Sequence, residues 1–122
     1  MKQKVHSVSY LAKAEFKFKN GVYDLVALPS GAEVVKVSLE VVGTLVNGNV
    51  DVGFKDGLQK NYFLTLEITD SNSNKNATSA KDYTATSNQV VTAEVKNVNQ
   101  GDDVKGILRV LYFLPSVIEV EY

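Results

Sequence analysis

The feature that most constrains this chain is an alternation of apolar and polar residues with a period of two. Residues 13–19 read KAEFKFK, with Ala14, Phe16 and Phe18 on one face and charged side chains on the other. Successive side chains of a β-strand point to opposite sides of the sheet, so this pattern predicts a strand with one buried face. No window of helical length shows a period of 3.6 residues. The chain is therefore predicted to be all-β.

The same alternation predicts about seven or eight strands along the chain. They cover residues 13–19, 22–28, 33–46, 49–54, 62–69, 89–95, 104–114 and 117–122. The segment 104–114 is apolar on both faces except at Lys105 and Arg109, which is typical of a central or an interface strand. The polar segment 70–82 lacks periodicity and predicts a surface loop. The fold class expected is a single antiparallel β-sandwich, jelly-roll-like, with residues 1–122 as one domain.

Two Asn-Gly dipeptides, Asn20-Gly21 and Asn47-Gly48, predict tight hairpins between these strands. Asn-Gly favours the type I′ turn, because both central residues of that turn need positive φ. The predicted partners are Phe18 with Tyr23, Phe16 with Leu25, Ala14 with Ala27, Lys17 with Asp24, Leu45 with Val50, Gly43 with Val52 and Val41 with Phe54. In the strand that begins at residue 33, the predicted inward row is Val35, Val37, Leu39 and Val41, with Val34 and Val42 as apolar exceptions on the outer face.

Composition and charge exclude several classes of protein. Lys and Arg number 13 and Asp and Glu number 14, so the net charge of −1 argues against nucleic-acid binding. No run approaches the roughly 20 apolar residues that span a membrane, and no apolar signal segment is visible, so folding in the cytoplasm is expected. The absence of cysteine excludes disulfides, thiolate chemistry and cysteine-ligated metal.

Residues that carry chemistry are few. His6 is the only histidine and lies in a predicted N-terminal arm, where a packing or solvated role is expected rather than catalysis. Asp70, Asn72 and Asn74 have the spacing that opens a calcium loop, but lysines occupy the sixth and twelfth positions, where glycine and glutamate are required. The sequence therefore predicts no enzyme, no cofactor and no metal site.

The aromatic residues divide into two groups. Phe16, Phe18, Tyr23 and Phe54 fall on inward rows and are expected in the core. Five others are less easily buried and are candidates for an interface or a sugar-binding groove, with burial in the core as the alternative: Tyr62, Phe63, Tyr83, Phe113 and Tyr122.

Four short motifs follow one another along the chain: residues 28–42 read LPSGAEVVKVSLEVV, residues 50–54 read VDVGF, residues 89–95 read QVVTAEV and residues 106–113 read GILRVLYF. This succession resembles the small β-sandwich decoration (cement) and head-fibre proteins of tailed bacteriophages. The resemblance covers roughly residues 22–114, and the stretch 56–62 departs from the pattern.

The resemblance implies a non-enzymatic capsid decoration protein of the virion. Such a protein, often a homotrimer, binds the outer surface of the major capsid protein shell and stabilises the head. The alternatives are a head- or tail-fibre module that binds a host-surface glycan, an unrelated bacterial β-sandwich and, least supported, a small enzyme.

The ends of the chain, residues 1–12 and 117–122, are the segments expected to bind partners. Residues 1–12 form either an arm that adds to a neighbour's sheet edge or an edge strand that pairs with 117–122 in the same sandwich. The predicted interface residues are Val5, Val8, Tyr10, Leu11, Ile118, Val120 and Tyr122.

Overall fold

The structure is a computed structural model that describes residues 2–56, 60–70, 75–98, 103–114 and 117–121, with Lys2 and the last range described by their backbone. These residues form eleven strands and no helix, which confirms the all-β prediction. In chain order they are β1 (Lys2–His6), β2 (Ser9–Lys17), β3 (Gly21–Leu28), β4 (Glu33–Val42), β5 (Gly48–Phe54), β6 (Leu64–Ile68), β7 (Asn76–Ser79), β8 (Tyr83–Thr84), β9 (Gln89–Lys96), β10 (Lys105–Phe113) and β11 (Val117–Glu121).

Three short strands exceed the number expected. β7 and β8 were not among the predicted strands, and β7 lies inside the segment predicted as a polar loop. β1 lies in residues 1–12, where an edge strand was one of two alternatives. That loop prediction is wrong for Asn76–Ser79, because these residues hydrogen-bond to β4 as an edge strand. Polar side chains suit such a position, since one side of an edge strand faces water.

Two antiparallel sheets pack against each other. The first sheet has the order β2-β10-β4-β7, with β8 also paired to β4, and the second has the order β3-β9-β5-β6. β2 pairs with β10, β3 with β9, β4 with β7 and β5 with β6, as in one long antiparallel ribbon. Winding of the ribbon brings β4 beside β10 and β5 beside β9. The result is the antiparallel β-sandwich predicted from the sequence.

Both predicted Asn-Gly hairpins are wrong. β2 and β3 lie in different sheets, and so do β4 and β5, so none of the predicted cross-strand pairs forms. Each Asn-Gly segment is an arch that carries the chain from the first sheet to the second. A type I′ turn needs positive φ at both central residues, whereas Asn97 is the only non-glycine residue with positive φ in the described part of the chain.

A third segment, directly after β9, holds both arches. The Asn20 side chain donates to the carbonyl oxygen of Val98 at 3.2 Å and accepts from the Val98 N–H at 2.9 Å. Asn47 donates to the carbonyl oxygen of Asn97 at 2.7 Å. At Gly48, whose φ is 155°, a Cβ would lie 2.9 Å from Val98 Cγ2. The Asn-Gly dipeptides therefore serve long-range contacts and close packing rather than a local turn.

The core lies between the sheets and is filled by alternate residues of the strands. Its largest fully buried side chains are Phe18, Leu28, Leu39, Leu45, Ile68 and Leu108. The inward positions predicted for Phe16, Phe18 and Phe54 are confirmed, and Tyr23 packs half-buried against Phe16 with ring centroids 5.1 Å apart.

A β-bulge changes one predicted face. The register between β4 and β10 shifts so that Leu111 lies opposite Lys36 and Tyr112 opposite Val34. Val35 is then the extra residue, and Val34 is fully buried while Val35 is only half-buried. The predicted inward Val35 and outward Val34 are thus exchanged, because a bulge reverses the alternation of faces beyond it.

Candidate interface

The two ends of the chain form a ribbon that continues the β2–β10 pair beyond the sandwich. β1 pairs with β11 in a separate two-stranded sheet. Between the two ladders, the Leu114 N–H donates to the carbonyl oxygen of Val8 at 2.8 Å. We call residues 2–11, 111–114 and 117–121 the terminal ribbon.

Within the chain, the two ends pair with each other. β1 and β11 pair with each other, although in a sheet of their own rather than as edge strands of the sandwich. The last residues of the expected arm, 9–12, belong to β2 and pair with β10.

Several predicted interface residues come together on this ribbon. Val8, Tyr10 and Leu11 expose 39%, 51% and 62% of their surface, and Val5 is half-buried. In the register, Ile118 lies opposite Val5. Val120 likewise belongs to β11, whereas Tyr122 lies outside the described residues.

Apolar side chains are exposed on both faces of the ribbon. Tyr10 packs edge-on against Tyr112, with ring centroids 5.9 Å apart, on the face that continues into the core. Leu11 lies opposite Leu111 on the other face. Each Å² of apolar surface that a partner covers is worth about 25 cal/mol, and a two-stranded ribbon is marginally stable by itself. The terminal ribbon is therefore a candidate interface, because it exposes apolar side chains on both faces.

The single histidine lies where the ribbon joins the sandwich. His6 Nδ1 is 3.2 Å from the carbonyl oxygen of Leu114, and its ring meets the ring of Phe113 edge-on at 6.4 Å. No group of three or more His, Asp or Glu side chains in the described residues is arranged to hold a metal ion. Asn72 and Asn74, with the calcium-like spacing, lie outside that part of the chain.

Four aromatic rings form a cluster at one end of the sandwich. The rings of Phe54, Tyr62, Phe63 and Tyr83 have centroids 4.6 to 6.5 Å apart. Lys81 Nζ lies 3.9 Å from the centroid of the Tyr62 ring, in a cation–π contact. The structure thus brings together three of the aromatics considered for a groove, but their rings pack on one another and on Lys81.

The outer face of the first sheet carries a cleft whose residues, apart from Leu11, the sequence did not identify as a site. Leu11, Lys36, Ser38, Arg109 and Leu111 line a cleft of about 260 Å³ on this face. The only sequence signal was the apolar character of both faces of segment 104–114, and β10 is indeed flanked by β2 and β4. The segment is therefore central in its sheet and still exposes one face.

No helix in the described part of the chain has the length and hydropathy required to cross a membrane.

Comparisons with solved structures relate the chain to phage capsids. It is similar to a chain of the acidic stable capsid structure of Helicobacter pylori bacteriophage KHP30, with 73% identity over all of both chains and a TM-score of 0.89. A chain of the cyanophage Pam1 capsid asymmetric unit has 20% identity and a TM-score of 0.69, covering 88% of this chain and 85% of that one, and shares the fold. No family model and no curated protein sequence matches the chain.

Proposed function

The chain belongs to the same family as the matching chain of the KHP30 capsid structure and is a component of the phage head, and from this relationship we propose that it is a decoration (cement) protein. It binds the outer surface of the shell formed by the major capsid protein and stabilises the head. Its work is mechanical rather than catalytic. The observation that carries this role is the terminal ribbon, which exposes apolar side chains on both faces.

A decoration protein needs contact area and complementary edges rather than a preorganised reactive site. Stable protein interfaces bury about 1,600 Å² in total, and an exposed strand contributes main-chain hydrogen bonds to a neighbouring sheet edge. The ribbon supplies both an edge and apolar side chains. In the proposed assembly, three copies form a homotrimer in which the ribbon of one copy contacts the next copy and the shell.

The test compares ribbon variants with a matched surface variant. Val8→Asp with Tyr10→Asp places charges on the ribbon, while Val22→Asp changes an apolar side chain of the second sheet that is 52% exposed. Removal of residues 1–6 deletes β1 and leaves β2 complete. Molar mass is measured by light scattering, and binding is measured by sedimentation with shells of the major capsid protein.

The ribbon variants are expected to bind the shell weakly and to lose the trimeric mass, while Val22→Asp keeps both. Circular dichroism and thermal unfolding establish that each variant is folded. Ribbon variants that are folded and retain wild-type mass and shell binding would show that the ribbon is not the interface.

The glycan-binding alternative has less support. A sugar stacks on an open aromatic face, and the rings of the aromatic cluster contact one another and Lys81. Saturation-transfer NMR with host-surface glycans distinguishes the two functions, and no signal transfer is expected.

A further inference from the structure

The outer faces of the two sheets carry opposite charge. We call the outer face of β2, β10 and β4 the basic face; its cations are Lys13, Lys17, Lys36, Lys105 and Arg109, and its carboxylates are Glu15, Glu33 and Glu40. We call the outer face of β3, β9, β5 and β6, with the residue that follows β5, the acidic face; its carboxylates are Asp24, Asp51, Glu67 and Glu94, and its cations are Lys55 and Lys96. The sandwich is thus electrostatically polarised across its thickness.

Three lysines of the basic face have no ion-pair partner among the described residues. Lys105 lies 3.8 Å from Glu15, Arg109 lies 3.3 Å from Glu40, and Glu33 accepts a 2.6 Å hydrogen bond from a threonine hydroxyl. Among the described residues, no carboxylate lies within 4.0 Å of the amines of the remaining three cations, which are Lys13, Lys17 and Lys36.

On the acidic face, two carboxylates have no ion-pair partner among the described residues. Asp24 pairs with Lys55 at 2.8 Å, and Glu94 pairs with Lys96 at 3.5 Å. Asp51 accepts a hydrogen bond from the hydroxyl of Thr65 at 2.8 Å, and the described residues offer neither Asp51 nor Glu67 a cation within ion-pair distance.

Of the three unpaired lysines, Lys36 lines the apolar cleft and Lys13 lies opposite Arg109, which also lines it. Leu11, Leu111 and Lys36 form one row across three strands, and Lys13, Arg109 and Ser38 form the next. Leu11 is 62% exposed, so the floor of the cleft is open to a partner. A ligand that complements this surface therefore places an apolar side chain in the cleft and carboxylates beside the cations around it.

We propose that the basic face is the side on which the protein rests on the shell, docking a carboxylate-rich segment of a shell subunit, and that the acidic face points away from the particle. This inference rests on the proposed decoration function and adds an orientation to it. The face adjoins the terminal ribbon, because Leu11 belongs to both surfaces.

Charge and shape favour a shell protein over other occupants. A nucleic-acid backbone would meet the interleaved carboxylates of the basic face and would leave the apolar floor in water. Two copies joined through their basic faces would repel each other. Contact between the basic face of one copy and the acidic face of another joins opposite sides of a sandwich, which builds an open chain instead of a closed oligomer.

The experiment reverses charge on each face separately. Lys13→Glu with Lys36→Glu changes the basic face, and Asp51→Lys with Glu67→Lys is the matched change on the acidic face. Shells assembled from the major capsid protein are titrated with each variant. Wild type and the acidic-face variant are expected to bind alike, while the basic-face variant binds roughly tenfold more weakly or worse. Raising salt from about 0.1 M to about 1 M, which shortens the Debye length from about 10 Å to about 3 Å, should weaken wild-type binding most.

The outcomes separate the orientation from the function. Failure of folded wild-type protein to bind shells contradicts the decoration role itself. The orientation alone is overturned if the basic-face variant binds shells as tightly as wild type. It is also overturned if the acidic-face variant loses shell binding. If the basic-face variant has a changed molar mass in free solution, this face makes contacts between copies. If wild type binds duplex DNA and the basic-face variant does not, this face binds nucleic acid. Either result overturns the proposal.

Discussion

At the scale of single residues, Gly106 packs directly against the ring of Phe16. They lie opposite each other in β10 and β2, and a Cβ at residue 106 would overlap the ring of Phe16. The ring has little room to move, because it packs between Phe18 and Tyr23 at centroid distances of 6.3 and 5.1 Å. The glycine is required by space, since its φ is not in the left-handed region.

Gly106→Ala is therefore expected to lower the free energy of unfolding by about 1–3 kcal/mol, the usual cost of overpacking a core. The measurement is equilibrium unfolding in denaturant. Phe16→Leu provides the control, because a smaller side chain leaves space for the added methyl group. The double variant should lose less than the sum of the single variants, and strict additivity would show that the two residues do not interact.

Lys55 offers a test at alkaline pH. Its amine donates a 2.8 Å hydrogen bond to Asp24, and this bond and the charge of Asp24 raise the pKa of Lys55 above its ordinary 10.5. A pKa that is raised by folding adds stability below the unfolded value, and this stability is lost as pH rises through the folded value. The pair is exposed, so the effect on stability is small.

Asp24→Asn is expected to be slightly less stable than wild type near neutral pH, and the difference should vanish as pH rises beyond 10.5. Denaturant unfolding at several pH values measures it. Lys17→Met, which alters a lysine without a carboxylate partner among the described residues, should show no such convergence. A difference between wild type and Asp24→Asn that stays constant with pH would contradict the assignment.

At the scale of structural elements, the two Asn-Gly arches determine how the strands are distributed between the sheets. Each arch is tied by an asparagine side chain to the segment that follows β9, far away in the chain. These hydrogen bonds and the close approach at Gly48 make the arches part of the tertiary structure. Their role is to join the sheets rather than to close hairpins.

Asn20→Ala is expected to destabilise the protein by about 1 kcal/mol, because it removes both hydrogen bonds to Val98. Hydrogen exchange of the Val98 amide should accelerate in this variant. Asn20→Asp keeps the acceptor oxygen and should retain most of the protection. Asn49→Ala is the control, since that side chain makes no hydrogen bond to the described residues; equal effects of Asn20→Ala and Asn49→Ala would contradict the role of the arch.

At the scale of the whole molecule, charge is confined to the surface. Among the described residues, no Asp, Glu, His, Lys or Arg side chain is buried, and Thr92 is the only buried polar side chain. The ion pairs have side chains that are 23–60% exposed. Acid unfolds proteins chiefly by protonating carboxylates that are paired or hydrogen-bonded in the native state, or histidines buried in neutral form.

Acidification from pH 7 to about pH 4, the ordinary range of carboxylate titration, is therefore expected to lower the free energy of unfolding only modestly. Each exposed pair contributes about 0–1 kcal/mol, so the total loss should stay near 2 kcal/mol. Denaturant unfolding across this range measures the loss, and added salt should reduce it further by screening. A steep, salt-independent loss of stability would contradict the surface location of the charges and indicate a buried ionisable group.

Local pattern determined the positions of most strands, the all-β class and most of the inward rows, because the period-two alternation needs only neighbouring residues. It also marked Val8, Tyr10 and Leu11 as apolar residues without partners at the end of the chain, and the ribbon exposes them. The tertiary structure alone decided which strands pair, because β2 and β10 are distant in the chain and antiparallel ladders accept many partners. For the same reason only the folded chain brings Leu11, Lys36 and Arg109 together around one cleft. Side-chain facing is a local property of a strand, whereas the choice of partner depends on contacts that form when the whole sandwich closes.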